Sequence, residues 1–405
     1  MSITSTVRRS LWLGAAIVLT LAVVVDAPPR AAAVNARPRA PGATSSTDPV
    51  ARIAELTAMV DRRDGARANA EAQHIALGRR LAETRRLESA ALARSDLLGE
   101  RALAAEREYR VARADLGKVA ASYYRDAGSP TVMTRLFESR SAVEFGYRQK
   151  IIENVGDRQA TIVKIAVRAR REAQRAVREV GNEQVRLRAL AQALADEIPK
   201  RAADVERLQS GLSSARFWLS RWQSVAAGVN TPIMSRSVLG PSELAAWFNG
   251  TRRRARITVS IQELAEAFID EGQSAQVRGD VAFAQSILET GSFHFPDGGQ
   301  LTPTDNNFAG INACDSCPSG SSFPDARTGV RAQMQLLRVY ADANLTNAQL
   351  NPPAVDARLD THFLKGEVPT WDGLTHTWAT ADQYGDRIVG IYTQILAWLT
   401  DRAEV

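Results

Sequence analysis

One acidic side chain ends an otherwise apolar helical segment, and its type and position suit acid catalysis. Residues 284–291 have the sequence Ala-Gln-Ser-Ile-Leu-Glu-Thr-Gly, in which Glu289 is the one charged residue. Partly apolar surroundings disfavour the charged form of a carboxyl group, so Glu289 can stay protonated and act as a general acid near neutral pH. Taken alone, however, a glutamate at a helix end is more often an exposed surface charge.

Local signals predict the helix that positions this carboxyl group. Asp280 is the predicted N-cap of a helix over 281–290, and Gly291 is the predicted stop. Helix geometry then places Gln285 beside Glu289, one turn earlier. The negative end of the helix dipole raises the pKa of a carboxyl group in the last turn, as an acid catalyst requires.

A second polar cluster follows at residues 305–311, which have the sequence Asp-Asn-Asn-Phe-Ala-Gly-Ile. Asparagine and glycine permit tight backbone turns, so we expect this segment to form the floor of a cleft. Asp297 lies between the two clusters, in a segment expected to form a short hairpin or flap.

Three motifs in this order resemble the active-site signature of glucosaminidase-type peptidoglycan hydrolases, which have a lysozyme-like fold. They are Glu-Thr-Gly at 289–291, Asn-Asn-x-x-Gly-Ile at 306–311, and Trp-Ala-Thr-Ala-Asp-Gln-Tyr at 378–384. The last departs from the family pattern by one residue inserted before Asp382. A Phe-Pro-Asp sequence at 323–325, ahead of a predicted helix, is a further match.

The resemblance implies cleavage of the β-1,4 bonds of peptidoglycan glycan strands by an endo-N-acetylglucosaminidase, with Glu289 protonating the leaving oxygen. A second carboxylate would lie about 5–5.5 Å away in a retaining enzyme and about 6.5–9.5 Å away in an inverting one. Asp305 is the first candidate for it and Asp297 the second. Participation of the substrate's own N-acetyl group, or attack by an internal hydroxyl as in lytic transglycosylases, would remove the need for a second acid.

The resemblance also implies the residues that contact the glycan, and it implies no metal or cofactor. For Tyr384 the alternative is a core aromatic residue. The predicted substrate-binding residues are Asn306, Asn307, Phe308, Gly310, Tyr384 and Gln285.

The N-terminus has the features of a secretory signal peptide. Arg8 and Arg9 precede an apolar run over 11–25, and small residues follow at 31–33. We predict a signal peptide over 1–33, cleaved near Ala33 or Ala36, and a disordered tether over 34–48. A protein secreted to the cell envelope is therefore expected, and an uncleaved signal anchor is the alternative.

Residues 49–225 are predicted to form a coiled-coil domain. Two long helical segments of matched length, rich in Ala, Arg, Glu and Leu, suggest an antiparallel hairpin. Pro199 is expected to kink or break the second helix. This region carries 33 Lys and Arg against 23 Asp and Glu, whereas 226–405 carries 13 against 20. A basic region of this kind suits anionic wall polymers, lipid or an acidic partner, although a solvated helix surface is the simpler explanation. Nothing in the sequence suggests nucleic-acid binding.

The tip of the predicted hairpin, at about 123–155, is denser in large apolar residues. Leu-Phe-Glu-Ser at 136–139 and Phe-Gly-Tyr-Arg at 145–148 resemble the tip module of exported coiled-coil regulators of cell-wall hydrolases. That resemblance implies docking to an FtsEX-type membrane complex in cell division. The alternative is that these residues pack the turn of the hairpin.

A linker is predicted over 226–240, followed by the glucosaminidase-like domain over 241–405. In an exported protein, Cys314 and Cys317 are expected to form a disulfide that pins their loop, in preference to a redox or zinc site. The predicted fold is therefore mainly α, with a small β component in a lysozyme-like domain. A non-catalytic wall-remodelling regulator that retains this domain to bind glycan is the alternative function.

Overall fold

A computed structural model describes residues 46–127, 138–313 and 319–403. Several predictions lie outside these ranges: the signal peptide, the disulfide between Cys314 and Cys317, and Phe137 at the hairpin tip. No helix in the described ranges is long and apolar enough to cross a membrane.

Two long helices form an antiparallel hairpin: α1 over Pro49–Ala127 and α2 over Ala142–Gln223. Asp48 caps α1 through the backbone N–H groups of the next turn, and Ser141 caps α2 through the N–H of Glu144. At 1.5 Å per residue each helix is about 120 Å long. The predicted hairpin is present, while supercoiled coiled-coil packing stays a prediction.

Contacts between the two helices give their antiparallel register. The guanidinium of Arg63, near the start of α1, donates to the carbonyl of Gly211, near the end of α2, at 2.6 Å. Farther towards the tip, Arg170 pairs with Glu106 at 2.5 Å. Pro199, expected to kink or break α2, lies inside it, and the helix continues without a break. Packing along the partner helix can offset the one backbone hydrogen bond that proline removes.

Five shorter helices follow and form what we call the C-terminal bundle. They are α3 (Pro241–Gly250), α4 (Ile261–Ala275), α5 (Gly279–Glu289), α6 (Ala326–Ala341) and α7 (Tyr384–Arg402). The predicted capping box of Ser260 and Glu263 starts α4. In place of the expected small β component, the described residues contain three isolated bridges and no sheet.

The base of the hairpin belongs to the core of the bundle. Leu56 and Trp222 are fully buried in the same apolar cluster as residues of α3 to α7. The indole of Trp222 donates to the hydroxyl of Thr400, on α7, at 3.1 Å. Arg221 forms a bidentate ion pair with Glu243 on α3. The hairpin is therefore attached to the bundle by packing as well as by the chain.

The segment predicted as a linker is also part of this core. Ile233 and Leu239 are buried, and the backbone N–H of Ile233 donates to the carbonyl of Pro369 at 3.0 Å. The N–H of Trp371 donates in turn to the carbonyl of Thr231 at 3.1 Å. These backbone hydrogen bonds hold the segment 226–240 against residues 369–371 of the bundle.

Helix α5 lies at the centre of the bundle, and a buried ion pair fixes its start. Arg278 and Asp280 are both buried, and two guanidinium nitrogens donate to the two carboxylate oxygens at 3.1 and 2.9 Å. The hydroxyl of Tyr392, on α7, donates to the same carboxylate at 2.7 Å. Arg278 also donates to the carbonyl of Ser224 at the end of the hairpin. Asp280 was predicted as the N-cap, but α5 begins at Gly279 and its N-cap is Arg278. The ion pair joins α5 to α7 through Tyr392 and to the hairpin through Ser224.

Close backbone packing sets the position of α5 against α4. A Cβ atom at Gly279, the first residue of α5, would lie 2.0 Å from the carbonyl oxygen of Phe268 on α4. Only glycine allows that approach. The residues from Val281 to Ile287 are all buried, so α5 is enclosed on every side until its last turn. Glu289 lies two residues beyond this enclosed segment, at the end of the helix.

Candidate active site

Glu289 is the last residue of α5 and lies where the buried helix reaches the surface. Its side chain is half-buried. The helix ends there because Thr290 has left helical geometry and Gly291 has a positive φ of 60°. The carboxyl group is therefore held by a rigid helix but remains open on one side, as a group that must exchange a proton with a substrate requires.

Tyr384, predicted to contact substrate, lies directly against this carboxyl group. It is the first residue of α7 and is buried. Its hydroxyl hydrogen-bonds to Oε1 of Glu289 and also accepts a hydrogen bond from Nε2 of Gln285 at 3.0 Å. The structure thus brings Tyr384 together with Glu289 and Gln285, which lie 95 and 99 positions earlier in the sequence.

A chain of buried amides determines which way each of these hydrogen bonds runs. The carbonyl of Ala282 can only accept, and Nε2 of Gln333 lies 3.4 Å from it, so Gln333 presents its amide nitrogen on that side. The same nitrogen donates to Oε1 of Gln285 at 2.9 Å, while Oε1 of Gln333 accepts from Ser286 at 3.0 Å. Gln285 must then use its own nitrogen to donate to Tyr384.

The direction of this chain assigns the proton of neutral Glu289 to one oxygen. Because the Tyr384 oxygen already accepts from Gln285, its hydrogen is directed to Oε1 of Glu289. When Glu289 is neutral, its proton therefore lies on Oε2. That oxygen faces Gly310, where a Cβ atom would lie only 3.1 Å from it. Gly310 has a φ of 68°, so glycine suits this turn, and its lack of a side chain also keeps a Cβ atom from crowding Oε2.

Electrostatics at the site favour the neutral acid. Burial raises the pKa of Glu289 above its ordinary value, while the hydrogen bond from Tyr384 and the positive charge of exposed Arg387 act in the opposite direction. Burial and the nearby carboxylate raise the pKa of Tyr384 well above its ordinary value, so the phenol keeps its proton. These are the conditions in which a carboxyl group can donate a proton near neutral pH.

The asparagine pair holds the backbone beside Glu289, and both side chains are buried. The amide of Asn307 donates to the carbonyls of Ile311 and Ser321 at 2.9 and 2.8 Å and accepts from the N–H of Ile311 at 3.0 Å. Asn306 donates to the carbonyl of Phe323 at 3.0 Å and accepts from the hydroxyl of Thr258 at 2.9 Å. Both amides are therefore engaged in shaping the turn that carries Gly310.

Phe308 has a similar supporting position. It is buried, and its ring packs against Phe268, Phe293 and Phe295 with centroid separations between 6.1 and 6.5 Å. This aromatic cluster fills the space beneath the turn. Of the residues predicted to bind substrate, Tyr384 and Gly310 adjoin the carboxyl group of Glu289, and Gln285 acts on it through Tyr384.

The two candidate second carboxylates have different environments. The carboxylate of Asp305 accepts from both the N–H and the hydroxyl of Thr302 at 2.7 Å, which lowers its pKa. Asp297 is 90% exposed and pairs with Arg256 at 2.8 Å, and this hydrogen bond lowers its pKa. Both are ionised at neutral pH. Asp305 is tied to the turn that contains the asparagine pair, whereas Asp297 lies in the outer loop.

Sequence analysis missed Gln333, the residue that orients the amide chain. Its position could have been recognised in the sequence, because Gln333 lies three residues after Val330 on the buried face of the amphipathic helix α6. A polar residue at an apolar position indicates a buried partner. Trp378 was quoted as part of a motif and not as a site residue, yet its indole donates to the carbonyl of Ala309 at 3.0 Å and closes over the turn. The described residues contain no group of three His, Cys, Asp or Glu side chains that could hold a metal.

Residues 265–396 match the family model of glucosaminidase, described as mannosyl-glycoprotein endo-beta-N-acetylglucosaminidase. This part of the chain is a glucosaminidase-family domain. The match includes Glu289, Tyr384 and the turn between them. The glucosaminidase domain thus supplies every residue of the amide chain described above.

A relative in Borreliella burgdorferi (strain ATCC 35210 / DSM 4680 / CIP 102532 / B31) is an uncharacterized protein that is 30% identical over 139 residues. The match covers 34% of this chain and 64% of that protein, which is less than two thirds of its length. No solved structure matches the chain.

The amide chain predicts how the pKa of Glu289 responds to substitution. Replacing Tyr384 with phenylalanine removes a hydrogen bond that stabilises the carboxylate, so the pKa of Glu289 is expected to rise further. Gln333→Met removes the amide that orients Gln285 and is expected to raise the pKa of Glu289 by a smaller amount. The measurement is a ¹³C NMR titration of the Glu289 carboxyl signal, assigned by its absence from Glu289→Gln.

Gln335→Met is the matched control for Gln333→Met. Gln335 is also buried on α6, but its amide bonds to the carbonyls of Pro352 and Pro353 and to the N–H of Val355. Its replacement should leave the titration of Glu289 unchanged. An unaltered or lower pKa in Tyr384→Phe would show that the phenol does not donate to this carboxyl group.

Proposed function

We propose that the glucosaminidase domain cleaves β-1,4 glycosidic bonds of peptidoglycan glycan strands, as an endo-N-acetylglucosaminidase, with Glu289 as the general acid. The observation that carries the proposal is a half-buried carboxyl group, with its pKa raised by burial, whose Oε1 is hydrogen-bonded to Tyr384 and whose Oε2 lies against the glycine turn at Gly310. The family match over 265–396 supports the same class of reaction.

In the proposed reaction, Oε2 of Glu289 gives its proton to the glycosidic oxygen as the bond between that oxygen and the anomeric carbon breaks. The leaving sugar departs as a neutral alcohol, and water adds to the anomeric carbon and loses a proton to a base. Glu289 becomes a carboxylate in this step. Tyr384 and Arg387 both favour that charged form, so the same groups that hold the acid also stabilise the product of proton transfer.

Asp305 is the favoured second group in this proposal. It is ionised at neutral pH and belongs to a rigid turn, since Phe323 donates to its backbone carbonyl at 2.8 Å and Thr302 holds its carboxylate. A carboxylate of this kind can accept a proton from attacking water. Assistance by the substrate's N-acetyl group and lytic transglycosylation are the alternatives, and both would operate without Asp305.

The hairpin suits the role of a rigid arm that positions the domain in the cell envelope. Its base packs near Thr400, at the opposite end of α7 from Tyr384, about 24 Å away at 1.5 Å per residue. The base therefore leaves Glu289 uncovered. Export by the N-terminal signal would place the domain where peptidoglycan is found. Docking of the hairpin tip to an FtsEX-type membrane complex is part of the proposal and rests on the sequence resemblance alone.

The central test is release of soluble fragments from purified cell walls by wild type and Glu289→Gln. The amide keeps the shape of the side chain but cannot donate a carboxylic proton, and loss of a general acid costs about 10²- to 10⁴-fold in rate. Mass analysis of the fragments is expected to show new N-acetylglucosamine reducing ends. Equal release by both proteins would remove Glu289 from the mechanism, and anhydro ends would indicate transglycosylation.

A matched pair of substitutions tests the second group. Asp305→Asn removes the charge and keeps a side-chain oxygen that can accept from Thr302, and its rate is expected to fall by about 10²-fold or more. Asp297→Asn, in the exposed outer loop, should retain the wild-type rate. Thermal unfolding of both variants serves as the control for folding. If Asp305→Asn is as active as Asp297→Asn, water is activated by another group and the assignment of Asp305 is wrong.

A further inference from the structure

A groove with a volume of about 840 Å³ begins next to the turn that carries Gly310. Residues 311–312 and 321–324 form one wall, and residues 355–359 and 361–363 form the other. Helix α6 is the floor. Ile311 lines its inner end and directly follows Gly310, which lies against Glu289. The volume lies in the range of sites that enclose small ligands.

Both walls of this groove are held by buried amides. Asn307 donates to the carbonyls of Ile311 and Ser321, which fixes the first wall. On the other side, Gln335 of α6 accepts from the N–H of Val355 at 2.8 Å and donates to the carbonyls of the two preceding prolines at 3.1 Å. The groove is therefore formed before any ligand arrives.

A row of aromatic rings runs from the turn that carries Gly310 to Phe363 in the groove. Trp378, which donates to the carbonyl of Ala309, meets Tyr340 edge-on at 5.5 Å. Tyr340 contacts His362 at 5.0 Å, and His362 stacks on Phe363 at 4.9 Å with an interplanar angle of 20°. Phe363 is 83% exposed, so one ring face at the end of the row is available to a ligand.

Polar groups beside the row are held in fixed positions. Asn312 donates to the hydroxyl of Ser321 at 2.8 Å. Arg358 is 77% exposed, and Asp356 holds its guanidinium through contacts at 2.6, 3.0 and 3.2 Å. Because this pair is neutral as a whole, the groove does not select a polyanion. An exposed ring face beside fixed amide, hydroxyl and guanidinium groups matches a sugar, which has apolar C–H faces and a polar rim.

We propose that this groove binds the length of β-1,4-linked amino-sugar strand that extends from the scissile bond, with Phe363 stacking on a sugar ring several units from Glu289. The inference rests on the proposed function, because the link between the groove and Glu289 is Ile311, which lines the groove and directly follows Gly310. It adds a distal binding position that requires a long strand. Strand length, and not only the sugars at the cleaved bond, then determines affinity.

The test is isothermal titration of the full-length Glu289→Gln protein, which cannot consume its ligand, with N-acetylglucosamine oligomers joined by β-1,4 bonds. Adding Phe363→Ala is expected to weaken binding of the hexamer about tenfold, equivalent to about 1.4 kcal/mol. Binding of the dimer, which we expect at the positions beside Glu289 and not at Phe363, should stay unchanged. Phe363→Trp should retain the affinity for the hexamer because it keeps an aromatic face.

Tyr147→Ala is the matched control, since Tyr147 is also an exposed aromatic residue, at 68%, but lies on the hairpin. The proposal is overturned if Phe363→Ala binds the hexamer as tightly as its parent, or if the parent shows no saturable binding of the hexamer. If wild type releases nothing from cell walls but hexamer binding still depends on Phe363, the proposed function fails and the groove stands. If wild type digests cell walls but Phe363→Ala does not weaken hexamer binding, the proposed function stands and the proposed sugar-binding groove is rejected.

Discussion

The buried ion pair between Arg278 and Asp280 is the constraint on which the rest of the structure depends. Charges with almost no solvent exposure are tolerated only when each is paired and hydrogen-bonded, and here the pair also binds Tyr392 and the end of the hairpin. Loss of either partner would leave a charge uncompensated in the core. The pair therefore fixes where α5 begins relative to α7 and the hairpin.

The ion pair fixes the position of the start of α5, and the chain of buried amides orients the side chain at its end. An enclosed helix of eleven residues connects Asp280 to Glu289, so the position of the carboxyl group follows from the position of the ion pair. Gln285, Gln333 and Tyr384 come from three different helices and agree on one direction of hydrogen bonding. Their arrangement gives the two oxygens of the Glu289 carboxyl group different surroundings: Oε1 is hydrogen-bonded to Tyr384, and Oε2 faces Gly310.

Local patterns in the sequence predicted a large part of this arrangement. The end of α5 at Glu289, the capping box of α4 and the hairpin of matched helices all follow from signals within a few turns of one another. The expectation that Glu289 and Tyr384 belong to one cleft came from a family resemblance, because no local pattern links residues so far apart; their direct contact is a finding of the structure. The orientation of the amides was unpredictable, since it depends on the carbonyl of Ala282 packing against α6.

Tertiary packing determines several features that local composition does not reveal. The glycine- and proline-containing segment 226–240 has the composition of a linker, but Ile233 and Leu239 pack into the core. Pro199 has the residue type that ends helices, but α2 packs along α1 and continues. The asparagine pair was expected on the cleft floor as a substrate-binding element. In the structure the two side chains form hydrogen bonds within the turn itself, because a buried amide must satisfy its donors and acceptor.

Infrared spectroscopy tests the central claim, that Tyr384 binds Oε1 and leaves the proton on Oε2. The difference between acid-minus-neutral spectra of wild type and Glu289→Gln isolates the C=O stretch of protonated Glu289. If Oε1 is the carbonyl oxygen that accepts from Tyr384, the band must move to higher wavenumber in Tyr384→Phe, because a hydrogen bond to a carbonyl weakens it. An unchanged band would place the proton on Oε1 and contradict the account.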